Sequence, residues 1–594
     1  MKKKGITWRL TDVMKESDFD IFHKNIKSRL QDCLSSISNL TPEIKEKDFK
    51  KEIALFSKLL EESKRVCWFA ELYSDTHINQ DRSSYFTGQV KEIEILVHDI
   101  ELILTSWLMG LKIKGMKRLD DANAKRLFKV MPELKFFFEN LKKKRKFTLS
   151  EKIERIISRK DTYLKEPLLE LYEMLLNDFR FEVKTTRTGK PKVINSEDEL
   201  FVFIRSPNPD VRRSAYKSLL GEYKKNINKL YTIYQSLVRD WNDNFKIRKY
   251  PSPISFRNFE NFVEDETVKT LTKVCTENRF IYQEYFKLKA RELKQKKLRR
   301  YDIYAPIKKK EKKYTFKESK RKVLEVFKEF DLGFYKNARK IFDDNHIDYH
   351  PRKHKISGAY SLSINSKFTP YILLNYTGTT GAMLTMAHEL GHGVHAMYSK
   401  KHSILVQDEP LPLAETASTF SEMLMFERLL DEINDKDEKK SLLFDRVAES
   451  FSTISRQNYF IKFELLAHEL IPKGISAEEL SNIYLKTQLE QFGNSVSMTN
   501  EFKYEWPYLS HIFWSPFYCY AYNFGDLLSL ALYSIYKEEG TKFVKKFTKI
   551  LAAGGSEKPS ILLNKIGINI NSEKFWQGSF QIIQSWVNLI REMT

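Results

Sequence analysis

The sequence predicts a large, mainly α-helical protein, and three observations carry that expectation. Of 594 residues, 42% are hydrophobic and 13% aromatic, enough apolar material for an extensive core. Only 20 Gly and 17 Pro occur in that length, roughly half the usual share, so the chain has too few turns for a many-stranded sandwich or propeller. Long stretches space apolar residues three and four apart, which gathers them on one face of a helix.

From Ser17 to Glu173 the helical spacing is sustained, as in Phe56, Leu59, Leu60 and Val66, then Ile93, Ile95, Leu96 and Ile100, and an antiparallel helical lobe is expected. Phe181-Glu182-Val183 and Phe201-Val202-Phe203-Ile204 flank a Thr188-Gly189-Lys190-Pro191 turn and predict a short β excursion. Pro207 and Pro209 follow, which places the main boundary near residue 200 and divides the chain into an N-terminal helical lobe, 1–200, and a second domain, 201–594. Asp210 is the expected N-cap of the next helix. The basic runs 294–313 and 142–146 read as solvated surface. Ser357-Gly358-Ala359-Tyr360-Ser361 and Pro370 to Tyr376 are expected as two strands. Thr377-Gly378-Thr379-Thr380 then turns into a helix over about 381–399, with Thr379 or Thr380 capping it.

The formal charge is +22. A surplus of that size bears on solubility and non-specific association, and no localised nucleic-acid motif accompanies it, so no nucleic-acid partner is expected. Cys33, Cys67, Cys275 and Cys519 are scattered, which implies neither a disulfide framework nor a thiolate metal site. Met1-Lys2-Lys3-Lys4 runs into Asp12, Lys15 and Glu16 before a signal-peptide apolar stretch develops. The most apolar window, Ile95 to Leu111, carries His98, Asp99 and Glu101. No membrane span is expected; the default compartment is the cytoplasm, and the oligomeric state is left open.

The chemistry concentrates in His388-Glu389-Leu390-Gly391-His392. Two histidines four apart on a helix present both imidazoles to one tetrahedral Zn²⁺, and the Glu between them points to a water on that ion. The chance count of such a pattern in this composition is about 0.03. A metzincin would need a further Gly and His, but His395 and Tyr398 hold those places. The third ligand is therefore expected from a following carboxylate: Glu409, Glu415 or Glu422. Glu409 sits in a Pro-rich loop, whereas Glu415 opens a helical run over about 413–431; spacing favours Glu415 as ligand and Glu422 as the partner that fixes a ligand imidazole. With one zinc per chain, Glu389 is the expected general base for amide hydrolysis.

A donor for the developing oxyanion is expected elsewhere in the chain. The segment 509–525 contains His511 and then Tyr518, Tyr520 and Tyr522. On a helix Tyr518 and Tyr522 share a face and Tyr520 points away, so Tyr518 and Tyr522 are the first choices and Tyr520 is in reserve. Among other histidines, His395 reads as a packing residue, His468-Glu469-Leu470 as a coincidental echo of the motif, and His346, His350 and His354 as exposed loop residues.

These residues resemble the oligoendopeptidase F group of zinc peptidases, relatives of thimet oligopeptidase. The resemblance rests on the His388-to-His392 motif, the Glu415-to-Glu422 helix and His511 to Tyr522, with Gly358 to Ser361, Pro370 to Asn375 and Arg212 to Tyr216 in support. It implies a mainly α, two-lobed zincin-type fold with a deep central substrate channel and a small β element beside the active site. It also implies Glu415 as third ligand, with His511 and the tyrosines contacting substrate and oxyanion. Gly358, Ala359 and Tyr360 would pair with the substrate backbone, and short peptides would be the substrates. The rival readings are a basic helical scaffold for RNA or an acidic partner with an inactive zinc site, and a related zinc carboxypeptidase.

Overall fold

The computed structural model describes residues 8–186, 189–307 and 312–594. Met1 to Lys4, Thr188 of the expected turn and Lys308 to Lys310 of the basic run lie outside them. The fold is mainly helical, with three small sheets among the described residues. Its residues form two compact units, one of Met1–Glu154, Glu311–Leu429 and Ile535–Ile568, the other of Arg155–Lys310, Leu430–Ser534 and Asn569–Thr594. This partition differs from the single crossing expected near residue 200: each unit is assembled from three separate stretches.

The first unit begins with helices Phe19–Ser38, Glu46–Thr76 and Asp81–Leu108. In the second of these Phe49, Ile53, Phe56, Leu59, Leu60, Val66, Phe69 and Tyr73 are all buried, the three-and-four spacing that makes one apolar face. Ile95, counted in the same pattern on the third helix, is 62% exposed, while Ile93 and Ile100 are fully buried. The core of these helices continues into Ile364, Tyr371, Leu373, Ile404 and Val406, over two hundred residues further on.

That continuation includes a three-stranded sheet. Tyr371–Leu373 is central, parallel to Ile347–Asp348 and antiparallel to Tyr360–Leu362, with Ser361 opposite Ile372. Tyr360–Leu362 is an outer strand; it and Tyr371–Leu373 fall within the two stretches expected as strands, and Ile347–Asp348 adds a third that was not expected. His346, expected as an exposed loop residue, is instead buried: its Nδ1 donates to the Thr369 carbonyl at 2.8 Å and its ring stacks on Tyr371. Helix Thr380–Ser399 follows, capped by Thr379, whose hydroxyl accepts from the Ala382 N–H at 3.0 Å.

In the second unit, Phe181–Val183 pairs with Lys192–Ile194, and Phe201 to Ile204, expected as a strand, lie in helix Glu197–Ile204. Ser196 caps that helix and Glu197, Asp198 and Glu199 fill its first turn, which favours a helix over the apolar run that follows. The 39-residue helix Pro209–Ile247 is capped by Asn208 rather than Asp210, because Pro209 occupies its first position and the Asn208 carboxamide oxygen accepts from the Asp210 N–H.

Part of the basic run expected to be solvated is buried here. Arg300 is 1% exposed and donates to both oxygens of Glu505 at 2.7 and 2.9 Å, and Asp302 accepts from Arg212, Arg299 and Gln295. A buried guanidinium persists only with such bidentate pairing. The four cysteines are unpaired thiols, three of them buried. No helix among the described residues is long and apolar enough to cross a membrane.

Candidate metal centre and catalytic groups

The helix Thr380–Ser399 carries His388 and His392 on one face, their ring centroids 5.0 Å apart. A second helix, Thr416–Glu432, starts immediately after Glu415, whose carbonyl accepts from the Thr419 N–H. Gly391 lets the two helices approach: a Cβ there would stand 2.6 Å from the Ala417 carbonyl oxygen and 2.6 Å from Ser418 Cα. On the opposite side, Gly393 admits the Ile341 side chain, which a Cβ would meet at 2.7 Å. Two glycines thus set the depth at which the imidazoles sit.

The three carboxylates left open by the sequence take different positions. Glu415 Oε2 lies 3.3 Å from His388 Nε2 and 3.4 Å from His392 Nε2. Glu422 Oε2 lies 3.2 Å from His388 Nδ1. Glu409 turns to His395, 3.7 Å from its Nδ1. The nearest ligand atoms of His388, His392 and Glu415 all fall within 4.8 Å of one another. Two ligands held about 2.05 Å from a common ion at the tetrahedral angle stand about 3.3 Å apart, so the observed spacings suit a zinc-sized ion with two imidazoles and one carboxylate. Glu422 accepts from His388 Nδ1, which leaves the Nε2 lone pair for a metal.

Electrostatics follow from this packing. Burial disfavours a charged His388, but hydrogen bonds to Glu415 and Glu422 outweigh it and raise its pKa well above the ordinary imidazole range. Burial also opposes ionisation of Glu415, yet hydrogen bonds from the two imidazoles hold it well below the ordinary carboxylate range. Glu389 is 7% exposed, and its burial raises its pKa against the opposing pull of His388 and His392. Ser418, absent from the sequence expectations, donates its hydroxyl to Glu415 Oε2 at 2.6 Å and so orients the carboxylate. Its only sequence signal is the three-residue spacing from Glu415.

Gly358, Ala359 and Tyr360 lie in the same unit, at the start of the outer strand. Gly358 has φ +83° and its carbonyl accepts from Asn375 Nδ2 at 2.9 Å, while Tyr360 donates its hydroxyl to Asp75 at 2.5 Å. These bonds fix the end of the strand to its own unit.

His511, Tyr518 and Tyr522 come together in the second unit. His511 Nε2 and the Tyr522 hydroxyl are hydrogen-bonded at 3.1 Å, the His511 and Tyr518 rings stack at 5.8 Å, and the two tyrosine rings are 5.3 Å apart. Tyr518 stands in the turn before helix Tyr520–Glu539 rather than on it. Tyr520, the reserve choice, is fully buried, and its hydroxyl accepts from Asn261 Nδ2 at 2.7 Å. It is a core residue, because the helix that exposes Tyr522 turns its neighbour two places earlier inward.

The turn bearing Tyr518 is held from behind. Phe517 is fully buried with φ +58°, a conformation costly for a bulky side chain. Its N–H donates to Glu464 Oε1 at 2.8 Å, and Arg257 donates to the Pro516 carbonyl and to Ser515 Oγ, each at 3.0 Å. Glu464 and Arg257 lie about 50 and 260 residues away in the chain, and no local pattern marks either.

Residues 202–582, more than half the chain, match the model of Peptidase family M3. The chain is 25% identical over 563 residues to an oligoendopeptidase F homolog of Borreliella burgdorferi, covering 92% of this chain and 91% of that protein. It is 28% identical over 394 residues to the chromosomal oligoendopeptidase F of Lactococcus lactis subsp. cremoris, covering 66% of this chain and 65% of that one. Among solved structures, a putative peptidase from Chlamydophila abortus superposes with a TM-score of 0.89 at 22% identity over 99% of this chain and 98% of that one. The oligoendopeptidase-F of Enterococcus faecium superposes at 0.71 and 20% identity over 97% and 99%.

Proposed function

This chain belongs to peptidase family M3, and on that premise we propose that it is a zinc-dependent oligoendopeptidase that hydrolyses internal bonds of short peptides. The observation that carries the reading is the convergence of His388, His392 and Glu415 with Glu389 between the two histidines. Zinc bound by these three residues, one ion per chain, would supply Lewis-acid polarisation of water and of the scissile carbonyl. Glu422 keeps His388 in the tautomer that leaves Nε2 free to ligate. Glu389 takes the proton of the attacking water and returns it to the departing amine nitrogen, a role for which its burial-raised pKa suits it.

His511, Tyr518 and Tyr522 are proposed as substrate and oxyanion contacts, because each can place an N–H or O–H donor on a developing negative oxygen. The outer strand offers backbone groups to an extended peptide from Ala359 onward, the Gly358 carbonyl being engaged by Asn375. Unpaired thiols accord with a reducing compartment, the cytoplasm.

The test uses peptides of graded length, each with free termini and blocked at both termini, incubated with wild type and Glu389→Gln, with cleavage positions read by mass spectrometry and bound metal by emission spectroscopy. Wild type is expected to hold one zinc and cut internally. Glu389→Gln is expected to keep the zinc and lose about 10²–10⁴-fold in rate. Cleavage confined to peptides with a free C-terminus would identify a carboxypeptidase instead, and equal turnover by the two proteins would remove Glu389 from the mechanism.

A further inference from the structure

Outside these groups, the second unit contains an open groove of about 1010 Å³ ringed by Lys287, Arg291, Lys296, Lys297 and Arg299. Its construction is specific. Helix Arg279–Glu292 carries Lys287 and Arg291 near its C-terminal end. The chain then reverses at Lys294, which has φ +55°, and the Gln295 N–H returns to the Ala290 carbonyl at 2.8 Å, a backbone closure of the helix end. Lys296 and Lys297 lead from this turn into strand Leu298–Arg299, which pairs with Val496–Ser497. Asn494, Ser495 and Ser497 add neutral polar groups to the lining, and Pro209, Ala290 and Leu293 apolar ones.

Four of the five cations of this groove are uncompensated. Among the described residues, no Asp or Glu lines it. The carboxylates that flank its two segments in sequence are engaged elsewhere, Glu292 by Lys440 at 2.9 Å and Glu490 by Lys462 at 2.5 Å. Arg299 is fixed by Asp302, Nε to Oδ2 at 2.7 Å. Among the described residues, Lys287, Arg291, Lys296 and Lys297 make no ion pair. Cations gathered in a concavity repel one another and concentrate anions there.

The lining also restricts the ligand. It contains no aromatic side chain, so it lacks the stacking platform on which single-stranded nucleic acid or a nucleobase rests. The volume is far more than one phosphate group needs. We propose that this groove is a binding site for a condensed phosphate, a chain of linked phosphoryl groups whose oxygens meet Lys287, Arg291, Lys296 and Lys297. The chain could come from inorganic polyphosphate or from a nucleoside triphosphate whose base stays outside the groove.

Calorimetric titration of the full-length protein with inorganic tripolyphosphate tests this. Wild type is expected to bind one tripolyphosphate per chain, more weakly as salt is raised. Lys296→Glu with Lys297→Glu is expected to lose at least tenfold in affinity. Two controls bind as wild type does: Lys142→Glu with Lys143→Glu, which reverses the same charge on another exposed lysine run, and His388→Ala, which removes the metal centre. ATP binding tighter than tripolyphosphate would identify the nucleotide as the source; equal binding would show that the inorganic chain suffices. The proposal is overturned if wild type shows no saturable binding, if either control loses as much as the groove variant, or if a poly-glutamate peptide or an oligothymidylate outcompetes tripolyphosphate. None of these outcomes depends on peptide hydrolysis.

Discussion

Glu464 is fully buried and carries the turn from which Tyr518 projects. Burial pushes its pKa up to about 8, against the lesser pull of the Phe517 N–H and Arg257. The folded state therefore holds this proton more tightly than the unfolded chain does. The resulting stability is fully present below the ordinary carboxylate pKa of 4.5 and is lost as pH rises towards about 8. Glu464→Gln keeps an acceptor for Phe517 and never ionises. Its melting temperature is expected to match wild type near pH 4, to exceed it increasingly as pH rises, and to level off above pH 8 in thermal scans. A constant offset across that range would mean that Glu464 does not titrate with folding. Residues of this kind are the ones a sequence hides. His388, Glu389 and His392 are legible because helix geometry alone brings them together, and Thr379 because capping is local. Spacing and the resemblance favoured Glu415 over Glu409 and Glu422, and the packing of one helix on another sets its carboxylate beside the two imidazoles. Glu464, Arg257 and Asn261 carry no local signal, since each acts on a turn distant in sequence.

At the scale of elements, the proposed metal ligands depend on how closely Thr380–Ser399 approaches Thr416–Glu432. Gly391 is the residue that permits this approach. In Gly391→Ala the added methyl meets backbone atoms of Ala417 and Ser418, which cannot rotate away as a flexible side chain could. The helices must separate by several tenths of an ångström, at a cost of about 1–3 kcal/mol. A lowered melting temperature and weaker zinc retention during dialysis against a chelator are expected together. Normal zinc retention in a destabilised protein would show that the ligands adjust independently of the helix spacing. Element type was legible where the apolar period was sustained, as over 19–108, or was joined to a side-chain cap, as over 380–399. It was not legible at Phe201 to Ile204, where an apolar run of strand-like composition is made helical by the Ser196 cap and the acidic turn preceding it. The solvated reading of the basic run failed at Arg300 because its counter-charge, Glu505, lies two hundred residues away.

For the whole molecule, the principal fact is that neither unit is continuous in sequence. The aromatic core of residues 8–141 is completed by Ile364, Tyr371, Leu373, Ile404 and Val406, so a cut at residue 200 separates one core into two exposed halves. Fragment 201–594 expressed alone is expected to be aggregation-prone and to bind zinc poorly. Co-expression with fragment 1–200 is expected to restore a soluble zinc-binding complex, as judged by gel filtration and metal content. A soluble, zinc-loaded 201–594 on its own would show that the first 200 residues are dispensable to the centre. The thiols described above have a practical consequence at this scale. Cys33, Cys275 and Cys519 are buried, and burial pushes the half-buried Cys67 up to about 12, so none offers an appreciable thiolate at neutral pH. The native chain is therefore nearly silent towards maleimides, and two engineered surface cysteines, one in each unit, can carry a fluorophore pair that reports the distance between the units in solution.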